Sequence, residues 1–164
     1  MRLLLLGPLL FIGACSTIPV ARTHIVPAGW ESSYNDYHYS PAVRVGDTVI
    51  ISGIPAFGKG DYESKIRGMF ENLKATLAAS GAEIRDVVEI NTFHVQVKNT
   101  KEFQAEFEVF KKVHAEYFKE HYPAWTAVGT TALLADDAPV EMRAMAIVGS
   151  GKNPKKAAGV AKPK

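Results

Sequence analysis

The chain has 164 residues, 47% of them hydrophobic, and a single cysteine, so it can build one domain with a genuine core but no internal disulfide framework. Its 19 basic and 17 acidic side chains are unevenly placed: residues 23–149 hold 12 Lys or Arg against 17 Asp or Glu, a net −5, while the last stretch is lysine-rich. An acidic body excludes nucleic acid as the expected partner, because that binding rests on neutralising phosphates.

Arg2 and the apolar run Leu3 to Ile12, interrupted by Gly7 and Pro8, read as a targeting segment. It is too short to span a bilayer, which takes about 20 apolar residues. The run ends in Ile12-Gly13-Ala14-Cys15, with small residues before a cysteine as in bacterial lipoprotein signals. Residues 1–14 are therefore expected to be cleaved and Cys15 lipidated, which anchors a chain to a membrane without threading it. The alternatives are an ordinary secretory signal and an apolar helix with an incidental cysteine. Ser16 after the cysteine, rather than aspartate, points an exported, periplasmic lipoprotein to the outer membrane.

Residues 15–35 read as a tether and lead-in, with Pro19, Pro27 and Gly29 breaking any regular element. The domain spans residues 36–149. Two β-rich runs, Tyr39 to Val45 and Thr48 to Ser52, flank a Gly46-Asp47 turn. Asp61 is placed to cap a helix from Tyr62 to Ser80, on which Ile66, Met69, Leu73 and Leu77 recur at helical spacing before Gly81 ends it. Val87 to Val97 alternates as a strand, with Thr92, His94 and Gln96 on one face. Phe103, Phe107, Phe110, His114 and Phe118 mark a second helix. Ala127 to Leu133 and Pro139 to Val148 close the domain as strands. The order ββαβαββ gives an α+β fold, a single mixed sheet with two helices on one face. Its other face calls for oligomerisation, and the moderately polar Thr92, His94 and Gln96 are expected there. Residues 150–164 are a basic tail too poor in apolar groups to order itself.

Four segments, Tyr39-Ser40-Pro41-Ala42, Val49 to Gly53, Pro123-Ala124-Trp125-Thr126 and Val140 to Ala146, together resemble the Rid family (YjgF/UK114) over about Asp36 to Val148. The resemblance implies a chorismate-mutase-like fold and a homotrimer with a small-molecule cleft at each subunit interface. It also implies kinship with imine and enamine deaminases, and no cofactor or metal. In deaminating members arginine usually stands at the position of Trp125, gripping a carboxylate, and glutamate at that of Arg143, handling water or a proton. Cleft residues implied by position are Tyr39, Ser52, Gly53, Trp125, Arg143 and Lys111. Ile54-Pro55 replaces the glutamine that often follows the Ser-Gly pair. Tryptophan has one N–H donor and cannot clamp a carboxylate, and arginine stays charged and cannot act as a base. Glu141 shares a strand face with Arg143 and is the candidate catalytic carboxyl, either replacing the lost one or merely pairing with Arg143.

The leading expectation is a trimeric small-ligand-binding protein, for an organic acid or an aromatic, diverged from the deaminase site. The alternative is an imine or enamine deaminase with a rearranged site. His114 and His121 with Glu116 and Glu120 lack metal-ligand spacing and read as a solvated helix end, and Gly58-Lys59-Gly60 lacks the spacing of a phosphate loop.

Overall fold

A computed structural model describes residues 20–95, 97–153 and 155; the expected signal segment, Cys15, Gln96 and most of the lysine-rich tail lie outside them. The elements are β1 (Arg22–Ile25), α1 (Glu31–Asn35), β2 (Ala42–Val45), β3 (Thr48–Pro55), α2 (Tyr62–Ala79), β4 (Val87–His94), α3 (Thr100–Tyr117), β5 (Ala124–Gly129) and β6 (Val140–Ile147), with 3₁₀ turns at Ile84–Asp86 and Ser150–Lys152. They form one six-stranded sheet in the order β1-β2-β3-β6-β4-β5. Every pairing is antiparallel except β4 with β5. The mixed sheet with α2 and α3 on one face is the architecture expected from the sequence.

Local chemistry sets the boundaries. Asp61 Oδ1 accepts the Ser64 backbone N–H at 2.9 Å to start α2, and Gly81 ends it at φ +76°, which glycine adopts without penalty. Asn99 caps α3 by accepting the Glu102 N–H at 3.0 Å. Ile66, Phe70, Leu73 and Leu77 of α2 and Phe110 and Val113 of α3 are fully buried against the sheet. There they meet Val49 and Ile51 of β3, Ile90 of β4 and Met142 of β6. Phe70 is central, with ring centroids 4.6 Å from Tyr117 and 5.9 Å from Phe110. Each such side chain contributes about 1.5–3 kcal/mol through burial.

Three features differ from the sequence reading. Residues 22–35, read as tether, carry β1 and α1, and β1 extends the sheet by pairing with β2. β5 covers 124–129 instead of 127–133, because parallel pairing begins at Glu89 with Ala124 and the Thr130 N–H closes it on the His94 carbonyl. Thr92 and His94 do not face a partner subunit; both are completely buried under the helices. Their polarity is satisfied internally. The Trp125 indole N–H donates to the Thr92 hydroxyl at 3.1 Å, Thr92 lies 3.0 Å from His94 Nε2, and His94 Nδ1 lies 2.7 Å from the Glu106 carboxylate, which also accepts from the Tyr62 hydroxyl at 3.0 Å. The face away from the helices is uncovered and exposes Val45, Ile50, Val128 and Ile147. Among the described residues no helix is long and apolar enough to cross a membrane.

Candidate functional site

β3 and β6 run in register from Thr48–Ile147 to Ile51–Ala144, then resume at Ile54–Met142 and Pro55–Glu141. Ser52 and Gly53 therefore stand together opposite Arg143, as a β-bulge. Bulges re-aim side chains and gather beside active sites. The Ser52 hydroxyl donates to the Ser40 carbonyl at 2.8 Å and its N–H to the Pro41 carbonyl at 3.0 Å, which pins the Tyr39–Pro41 segment alongside.

Glu141 projects from the uncovered face of β6 and lays its carboxyl over the bulge. A methyl group added at Gly53 would contact Glu141 Oε1 and lie 2.7 Å from its carboxyl carbon, so a side chain there would push the carboxyl aside. The carboxyl is half-buried, and that burial raises its pKa above the ordinary carboxylate range. Arg143 is on the same face but exposed, and no ion pair joins it to Glu141.

Beside the bulge opens a cavity of about 380 Å³. Its floor is Gly53, Ile54 and Pro55; Trp30, Tyr39 and Phe57 supply aromatic walls, and Ser32, Ser33 and Asn72 the polar ones. Tyr39 is presented by His38, whose φ of +56° makes it the one non-glycine residue among those described in the left-handed region. A side chain there costs energy, and such residues cluster where a site demands a held geometry. The Tyr39 N–H donates to the Ser33 carbonyl at 3.0 Å and closes the wall.

Tyr39, Ser52, Gly53 and Glu141 are thus brought together, with Arg143 at the margin. Trp125 is not among them. It lies on the helix side of the sheet, stacked on His114 at 4.5 Å and packed on Phe107 at 4.7 Å. Lys111 is on the outer surface of α3, ion-paired with Glu108 at 2.6 Å. His114 is no solvated helix end: it is buried, and burial, with His121 as a second cause, depresses its pKa to about 4. No cluster of three or more metal-ligating side chains occurs among the described residues. Trp30, Ser32, Ser33, Phe57 and Asn72 were not foreseen. The available signal was aromatic density, Trp30, Tyr34, Tyr37 and Tyr39 within a stretch read as tether and its junction.

Residues 32–148 match the family model described as Endoribonuclease L-PSP. The chain is 37% identical over 129 residues to the RutC family protein YjgH of Escherichia coli, a match covering 75% of this chain and 94% of that one. It is 34% identical over 117 residues to a 2-iminobutanoate/2-iminopropanoate deaminase of Dermatophagoides farinae, covering 67% and 85%. A solved Mycobacterium tuberculosis member of the YjgF/YER057c/UK114 family superposes with TM-score 0.66 at 29% identity, over 78% of this chain and all of that one.

Proposed function

Because the chain belongs to the Rid (YjgF/L-PSP) family, we propose that it binds a small molecule in the cavity beside Glu141 and hydrolyses a C=N bond there, as an imine or enamine deaminase with a rearranged site. The observation that carries this reading is the Glu141 carboxyl, packed on Gly53 of the cavity floor and raised in pKa by its burial. A carboxyl so poised can give a proton to the enamine carbon or imine nitrogen. As carboxylate it then takes a proton from the water attacking the imine carbon. The carbinolamine so formed expels ammonia and leaves a carbonyl compound. The Ser52–Gly53 bulge positions the carboxyl, and the apolar floor limits competing water.

A second reading, binding without turnover, is favoured by one observation: the arginine position of deaminating members is held by Trp125, which is packed in the helix layer. The test is ammonia release by the full chain from imines generated in situ, 2-iminopropanoate and benzaldimine, against spontaneous hydrolysis. Acceleration that drops about 10²–10⁴-fold in Glu141→Gln supports catalysis. No acceleration on either compound leaves the binding reading, and a variant as active as the parent takes Glu141 out of the reaction.

The exposed apolar side chains of the uncovered sheet face support assembly as a homotrimer, with the cavity at the subunit boundary. Cys15, preceded by Gly13 and Ala14, supports an exported, lipid-anchored chain. Incorporation of labelled palmitate that is lost in Cys15→Ser tests the anchor, and sedimentation tests the assembly.

A further inference from the structure

The cavity walls carry no charge. Trp30, Ser32, Ser33, Tyr39, Phe57 and Asn72 include no Asp, Glu, His, Lys or Arg, and the floor is backbone and apolar side chain. Glu141 does not line the cavity, but its carboxyl packs on the floor residue Gly53 and would present a like charge to a carboxylate ligand. The surrounding domain is acidic as well. Anion recognition by an arginine fork is absent from the walls: Arg143 is exposed on the open sheet face, outside the cavity lining. What the walls do offer is three aromatic planes, with hydroxyl and amide groups between them. Phe57 is more than half exposed and Tyr39 nearly so, so both rings are available to a ligand face.

We propose that the cavity beside Glu141 selects an uncharged, ring-bearing ligand held against Trp30, Tyr39 and Phe57, not a carboxylate-bearing one. The proposal rests on the reading of this cavity as the binding site. In substrate terms it assigns the protein aromatic aldimines or enamines without an acid group. Asn72 and the Ser32–Ser33 pair then hydrogen-bond the polar end of the ligand, and His38, by its strained backbone, holds Tyr39 to the ring.

The experiment is calorimetric titration of the full chain with benzamide and with benzoate, which share a ring and differ in charge. Benzamide is expected to bind and benzoate to bind at least ten-fold more weakly. Trp30→Ala and Phe57→Ala should each weaken benzamide at least five-fold while melting within a few degrees of the parent. Asn72→Lys, which adds a cation to the wall, should reverse the preference toward benzoate and guards against misfolding as the cause of loss. Binding of neither probe, or benzoate binding as tightly as benzamide and weakening in Arg143→Gln, overturns the proposal. The outcome is separable from catalysis. Benzamide binding with no imine turnover sinks the deaminase reading alone, whereas turnover of 2-iminopropanoate with tight benzoate binding sinks this one alone.

Discussion

Restoring arginine at position 125 is the substitution that family resemblance invites, and the structure predicts that it damages the fold without rebuilding a clamp. Trp125 stacks on His114 at 4.5 Å and 19°, packs on Phe107 at 4.7 Å and Phe110 at 5.3 Å, and donates its indole N–H to Thr92 at 3.1 Å. Three ring contacts at about 0.5–1.5 kcal/mol each are lost in Trp125→Arg, and a permanently charged guanidinium is set among apolar rings. Stacking of the guanidinium and escape of its tip toward the sheet edge recover part of this. The net loss is about 3 kcal/mol, the lower end of tryptophan truncations. For a domain of this size that lowers Tm by about 10 °C. Thr92 keeps its contact with His94, so no buried hydroxyl is orphaned. Trp125→Phe, keeping the ring and losing the N–H donor, should cost about 1 kcal/mol. Urea and thermal unfolding of the full chain at one fixed protein concentration measure both, because the Tm of an assembling protein depends on concentration. A Trp125→Arg protein as stable as the parent and newly active on 2-iminopropanoate would refute the placement of this side chain under the helices.

Gly53→Ala should cut turnover about 100-fold by pushing the Glu141 carboxyl off its position, with a small effect on melting; unchanged kcat would show that Glu141 acts from elsewhere. Because burial raises the Glu141 pKa, between the ordinary value of 4.5 and its raised one the folded chain keeps a proton that the unfolded chain has released. Stability therefore falls as pH rises through that window, and Glu141→Gln should remove the slope from urea midpoints measured across it. His114 has the opposite sign: its pKa falls from 6.5 to about 4 on folding, so the unfolded chain binds the extra proton. Stability is lost as pH drops from 6.5 toward 4, by up to about 3 kcal/mol, and His114→Phe, which keeps the stack on Trp125, should flatten that acid limb. An unchanged limb in the variant would assign the acid sensitivity to other groups.

The two long helices were legible because each carries its own punctuation, Asp61 and Gly81 for α2 and the phenylalanine spacing for α3. β1 and α1 were not, since four and five residues are too few to show a period. The faces of β4 could not be told apart from sequence. One carries Ile90, Thr92 and His94, the other Glu89, Asn91 and Phe93, and each mixes polar with apolar. Glu106, twelve residues beyond His94 on another element, makes the difference by giving the histidine a buried partner. The site divides the same way. Glu141 could be named from its strand, but its seat over Gly53 depends on a bulge, and a one-residue offset between paired strands leaves no mark in either sequence. Trp125 was read by family position, whereas its side is set by parallel pairing with Ile90.

Among the described residues the last strand, β6, lies between β3 and β4 and is the only one joining the first three strands to the other two. Until residues 140–147 have left the ribosome, the β1–β3 meander and the β4–β5 pair share no backbone ladder. The helices then have no continuous surface to cover. Assembly must close contacts far apart along the chain, which slows folding, and a chain cut short before β6 presents two unfinished sheet edges open to aggregation. Glu141 rides on that same strand. Its carboxyl therefore reaches Gly53 only in the step that completes the sheet, so that contact is among the last the domain makes.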